Sequence, residues 1–150
     1  MTGRSALTKS SWEPPQVAVG YGAEVAGRGP LENRIARLIG QALRDARDDG
    51  RARREVAARM AEILGRPVSE AMLNKWSSEG SEDHRIPLDA FIALIHATGA
   101  VKLTGFVAGE FGLTVIEGQY AELIEAQLIE EQMAELQARR DALAAKRGRR

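Results

Sequence analysis

The 150-residue chain contains no cysteine, only two histidines, and few aromatic residues: three Phe, two Trp and two Tyr. A disulfide framework is therefore impossible, and two histidines cannot complete a four-ligand zinc site of the Cys/His kind. His84 reads as a loop residue and His96 as a residue on the polar side of a helix, neither with a second ligand at metal spacing, so no metal and no cofactor is expected. There is no thiol nucleophile, no G-x-S-x-G elbow and no H-E-x-x-H pair. The carboxylates from Glu117 to Glu135 fall on what reads as a helix surface, where solvated groups are the rule, and no enzymatic activity is expected. Long apolar runs are missing as well. Nothing approaches the ~18 apolar residues that a membrane span needs, and no basic N-terminal region leads into an apolar core, so a cytoplasmic location is expected.

Net charge is absent too, with 21 Lys+Arg against 21 Asp+Glu. A nucleic-acid binder tends to carry a basic excess, so the distribution of the charges decides what the balance means. Residues 31 to 68 carry 9 basic and 6 acidic groups, and residues 69 to 112 carry 3 and 6. The final segment is split, since Glu117 to Glu135 is acidic and Arg139 to Arg150 is basic apart from Asp141. The zero is a sum of opposed patches, and non-specific attraction to a polyanion is expected to be weak.

Residues 1–30 hold Pro14-Pro15, Gly20, Gly22, Gly27, Gly29 and Pro30 without a sustained apolar period, which predicts a disordered tail. The glycines match neither G-x-G-x-x-G nor a P-loop, and no strand pattern precedes them. Trp12 in this tail reads as unstructured or as a docking residue for a partner.

From Leu31 the register becomes helical. Leu31, Ile35, Leu38, Ile39, Ala42 and Leu43 form one stripe, ended by Asp48-Asp49-Gly50. A second helix is predicted from about Arg53 to Leu64, capped by Gly65, and a third from Ser69 to about Ser78, with Ser69 as its N-cap. Pro87 opens a fourth helix that runs to Thr98 before Gly99, and Leu103 to Phe111 makes a fifth, weakened by Gly105 and Gly109. Leu113 to Ile116 has strand-like composition but reads as too short and isolated to found a sheet. Gln119 to Lys146 holds no Gly or Pro and predicts one long helix. Its best apolar seam is Ala126, Ile129, Met133, Leu136 and Leu143, with Arg140 at the expected position between the last two. The expected fold is all-α: a compact five-helix domain over residues 31–112, followed by a linker and a long C-terminal helix over 113–150.

The stretch Met60-Ala61-Glu62-Ile63-Leu64-Gly65, followed by Val68-Ser69-Glu70-Ala71-Met72-Leu73-Asn74-Lys75-Trp76, carries the most information. Ala61 is small where two helices cross, Gly65 allows a positive φ, Val68 plugs the angle, and Leu73 and Trp76 pin the second helix to the core. Trp76 falls on the Met72–Leu73 face and reads as a core anchor rather than a base-stacking residue. This stretch resembles the helix-turn-helix of the Cro and lambda-repressor superfamily, and the layout of residues 31–112 follows that resemblance. Arg66-Pro67 lengthens the turn by two residues relative to the commonest form of the motif. The resemblance implies a phage-type transcriptional regulator binding double-stranded DNA, with Ser69, Glu70, Ala71, Asn74 and Lys75 on the face that enters the major groove. Arg51, Arg53, Arg54 and Arg66 flank the second helix and are expected to hold phosphates. Glu70 opposes DNA unless it accepts from a cytosine amino group, and the acidic loop Glu79 to Asp83 has to turn away from the backbone.

The long helix is expected to join copies into a homo-oligomer, a dimer or higher, through the Ala126 to Leu143 seam. Its acidic start and basic end are complementary if two copies run antiparallel. The alternative reading is a helical adaptor that binds no DNA and assembles through protein contacts of the same C-terminal helix.

Overall fold

The computed structural model describes residues 17–80 and 83–149, and the expectations for residues 1–16, Trp12 among them, lie outside the described residues. The described chain is mostly helical and ends in a long helix, so the all-α class holds. Its elements in order are β1 (Ala18–Val19), α1 (Ala23–Ala26), α2 (Leu31–Asp48), α3 (Arg53–Leu64), α4 (Glu70–Trp76), α5 (Leu88–Thr98), α6 (Lys102–Gly109), β2 (Val115–Ile116) and α7 (Gly118–Arg147). Two units are distinguished: Val19–Val115 is one, and the other contains Ile116–Arg150.

In the first unit the apolar stripe of α2 is the spine of the core. Leu38, Ile39, Ala42, Leu43 and Ala46 are buried, and Ile35 packs against them half-exposed, while Leu31 at the first turn stays exposed. Helix α3 contributes Val56, Ala57 and Met60 and packs chiefly against α5, whose Ala90, Ala93, Leu94 and Ala97 are small or compact enough for close approach. Here the structure corrects the sequence reading. The buried alanine of α3 is Ala57, four residues before Ala61, which is only half-buried. Both α3 and α5 end as the sequence predicts, with Gly65 at φ 67° and Gly99 at φ 73° closing the final turn through their N–H groups.

The segment before residue 31 differs most from expectation. Residues 1–30 read as a disordered tail, yet residues 19–30 belong to the first unit: Ala26 is buried, and Tyr21 and Val25 pack against the core. Four tertiary contacts hold them. The Tyr21 hydroxyl donates to Asp45 at 3.1 Å, the Arg37 guanidinium donates to the carbonyls of Ala26 and Arg28, and the ammonium of Lys102 lies 5.6 Å from the Tyr21 ring centre. Burial, with Asp45 adding to it, pushes the Tyr21 phenol up to about 12. The domain therefore begins near Val19 rather than at residue 31. The strand-like segment at Leu113 to Ile116 also finds a partner, because β2 pairs with β1 as a two-stranded sheet.

The long helix α7 spans 30 residues, with Glu117 as its N-cap and Lys146 and Arg147 in its last turn, a basic end that suits the helix dipole. None of its residues is buried. Among the described residues no helix is long and apolar enough to cross a membrane.

Candidate nucleic-acid interface

Helices α3 and α4 are joined by the five residues Gly65 to Ser69. Gly65 takes the left-handed conformation, and Val68 returns the chain toward the core, where it packs half-buried. Ser69 is extended at φ −108°, ψ 160°, and its hydroxyl accepts the Met72 N–H at 3.2 Å, which satisfies one of the free amides at the start of α4. The inner face of this short helix is fixed by Leu73, fully buried, and Trp76, 8% exposed. The Ser77 hydroxyl donates back to the Leu73 carbonyl at 2.9 Å and closes the helix.

Glu70, Ala71, Asn74 and Lys75 are all exposed on the opposite side. Ser69 at the N-cap is exposed as well, so the five side chains expected to face a partner are all open to solvent, and the two expected to anchor the helix are inside. An open concavity lined by Arg54, Ala57 and Ala58 of α3 and by Val68, Ser69 and Glu70 adjoins this surface. Arg54 has no hydrogen-bond partner among the described residues, and its charge stands at the first turn of α3, whose N-cap Ala52 offers no side-chain acceptor.

The other arginines are placed less simply. The Arg53 guanidinium donates to Asn74 Oδ1, joining the start of α3 to the outer face of α4. Because a guanidinium has no acceptor atom, the contact fixes which end of the Asn74 amide faces Arg53 and leaves the NH2 end directed elsewhere. Arg51 lies with Nη1 3.5 Å from the Ala97 carbonyl, in the last turn of α5, where a cation suits the helix dipole. Arg66 makes two hydrogen bonds with the Asp89 carboxylate, at 2.7 and 3.0 Å, in the first turn of α5. That guanidinium is committed to a protein carboxylate, so a phosphate would have to compete for it. The acidic loop is partly neutralised as well, since Glu79 accepts from Arg37 Nε at 2.8 Å; Ser81 and Glu82 lie outside the described residues.

No protein-family model, curated protein or solved structure matches the chain. The residues themselves therefore carry the functional argument. Sequence reasoning found the outer face of α4 but missed the Arg53–Asn74 contact and the Arg66–Asp89 pair. Those partners are separated by 21 and 23 positions and meet only when the helices pack. The one local hint was Asp89 in the first turn of a helix, where a carboxylate is favoured whether or not an arginine arrives.

The Asp89 carboxyl is held below the usual carboxylate range, chiefly by the hydrogen bonds from Arg66, with the Ala90 N–H adding to it. Its folded pKa lies below the unfolded one, so the stabilisation from this pair is complete above about pH 3.9 and is lost as the pH falls through the folded value. In a carboxyl NMR titration, Asp89 is expected to titrate below the ordinary range in the native chain and to return toward it in Arg66→Ala. An identical Asp89 titration in both proteins would show that the pair does not form in solution.

Proposed function

We propose that the unit spanning Val19–Val115 binds double-stranded DNA as part of a cytoplasmic transcriptional regulator of repressor type, with α4 in the major groove and α7 joining copies into an oligomer. The observation that supports this best is the division of α4. Leu73 and Trp76 lock it to the core, while Glu70, Ala71, Asn74 and Lys75 form an unobstructed outer surface beside the cationic start of α3. A short helix presented in this way fits the width of the major groove, and Ala71 in the middle of its outer face lets the backbone come close to the base edges.

Within this reading each side chain has a distinct task. The Asn74 amide addresses a base edge while Arg53 buttresses its oxygen, and the remaining Arg53 donors, with Arg54 and Lys75, face phosphates. Glu70 accepts from a cytosine amino group, or else it opposes binding. Arg66 is the weakest of the expected phosphate ligands because Asp89 already holds it. Arg51 lies beside the C-terminal end of α5 and is turned toward it.

Fluorescence anisotropy on duplex DNA tests the proposal. Affinity for a random duplex should be weak and fall steeply with salt, and a sequence enriched from a random library should bind more tightly. Replacing both Asn74 and Lys75 with alanine is expected to lower affinity for the enriched sequence by roughly 5- to 150-fold, the loss of one good base contact, and to flatten the salt dependence by about one phosphate. The circular dichroism spectrum should stay the same and the melting temperature should change little, since both side chains are exposed and the one tertiary bond lost, from Arg53 to Asn74, lies at the surface. Unchanged affinity would remove α4 as the reading element, and no binding to any duplex at low salt would favour the protein-assembly reading.

A further inference from the structure

The helix α7 is continuous over Gly118–Arg147 and has no buried residue, although Ile129, Met133, Leu136 and Leu143 recur along it at spacings of four, three and seven and are each half or more exposed. That spacing is the seam of a two-stranded coiled coil with Ala126, Met133 and Arg140 at a positions and Ile129, Leu136 and Leu143 at d positions. The positions flanking the seam then follow. Glu125, Gln132, Arg139 and Lys146 stand on its g side, and Leu123, Glu130, Gln137 and Ala144 on its e side.

We propose that α7 pairs antiparallel with α7 of a second copy, in the register that sets Met133 against the partner's Leu136 and Ala126 against the partner's Leu143. This specifies the self-association proposed above and is independent of DNA binding. Charge selects the orientation. In the antiparallel register g faces g, so Glu125 meets the partner's Lys146 at both ends of the seam, while Gln132 meets the partner's Arg139. On the other flank Glu130 meets the partner's Gln137, and Leu123 covers the partner's Ala144. Arg140, the one charged residue in the middle of the seam, stands beside the partner's Ile129, next to an acidic Glu130.

A parallel pair places g against e instead. Glu125 would then face the partner's Glu130 on both sides, and the two Arg140 guanidinium groups would share one layer of the seam. Like charges at these positions oppose pairing, and opposite charges set partner orientation. The antiparallel arrangement also opposes the two helix dipoles. The acidic first half and basic last third of α7 are thus complementary only to a copy running the other way.

The absence of cysteine makes introduced thiols unambiguous probes in the full-length chain. Met133→Cys and Leu136→Cys chains, co-expressed and oxidised, should yield a disulfide-linked species containing one chain of each kind by mass spectrometry, with little linkage of either variant alone. Efficient linkage of Leu136→Cys to itself would overturn the proposal, because d faces d only in a parallel pair. Charge reversal supplies a second reading by sedimentation equilibrium. Glu125→Lys should raise the dissociation constant roughly 2- to 30-fold, and adding Lys146→Glu to the same chain should restore it. A parallel pair would instead be tightened by Glu125→Lys. A tighter dimer would overturn the orientation alone, whereas a native chain that stays monomeric at high micromolar concentration would overturn self-association as well.

Discussion

Replacing Trp76 with alanine is expected to destabilise the Val19–Val115 unit by about 3–5 kcal/mol. The indole closes the C-terminal end of α4 and is 8% exposed, in a cluster with Leu73 and the apolar stripe of α2. A buried aromatic ring of this size removes roughly 150–250 Å² from water, and no smaller side chain on a seven-residue helix can replace that area. Such a short helix has little stability of its own, so tertiary packing decides whether it forms. The ring borders an open cleft lined by Leu31, Ile35, Ala36 and Ile86. Water can enter the space it vacates, which places the cost toward the lower end of the range. Leu73, enclosed on all sides, leaves a dry cavity when truncated.

For a domain of this size each kcal/mol corresponds to roughly 4–8 °C, so the melting temperature should fall by at least about 12 °C. Urea unfolding followed by far-ultraviolet circular dichroism measures the effect, and Trp76→Phe should recover a good part of it. A loss below about 1 kcal/mol would show that Trp76 does not anchor α4. DNA binding by Trp76→Ala should be restored by cooling below its melting temperature, whereas binding by the Asn74 and Lys75 double variant should not.

The second large effect concerns Gly105, where intrinsic propensity and tertiary packing predict opposite signs. Alanine in place of glycine inside a helix ordinarily gains about 1 kcal/mol. At Gly105 the added Cβ would lie 2.1 Å from the Val19 carbonyl oxygen and 2.7 Å from the Gly20 Cα. Both are backbone atoms and cannot rotate aside, so either α6 shifts or the Val19–Gly20 backbone lifts away. Overpacking of this kind costs about 1–3 kcal/mol or more and outweighs the propensity gain. The expected result is a net loss of stability together with release of the 17–30 segment, seen as faster amide exchange at Tyr21 to Ala26.

Gly109, in the same helix, has nothing within 4 Å of its notional Cβ and does not adopt a positive φ. Gly109→Ala should therefore be neutral or stabilising by up to about 1 kcal/mol. Equal effects at the two sites would show that Val19 does not approach α6 as closely as the structure places it.

The expected sign at Gly105 marks a limit of what periodicity can reveal. Reading α6 alone, both glycines are defects, because the reason for one of them is a strand some eighty residues earlier. The same holds for the arginines near the candidate interface. Their number and place suggested phosphate ligands, but pairing with Asp89, with Asn74 and with the end of α5 divides them into different roles. Ala57 rather than Ala61 became the buried alanine of α3 because helix α5, not the following helix, is its main neighbour.

Wherever the determinant was local, the sequence by itself was enough. The spacing of apolar residues placed α2, α3 and α5, an unbroken run of helix formers without Gly or Pro placed α7, the left-handed glycines placed the ends of α3 and α5, and Ser69 placed the start of α4, because propensity, periodicity and capping act within one or two turns of chain. The exposed face of α4 followed from those same spacings. Only tertiary structure decided that residues 19–30 belong to the domain, that β1 and β2 pair, and which partners engage Arg51, Arg53 and Arg66. A segment of glycine, proline and isolated apolar residues has no local preference strong enough to order it. Its order comes from its own Tyr21, which donates to Asp45 of α2, and from Arg37 of α2 and Lys102 of α6, which reach it from the core helices.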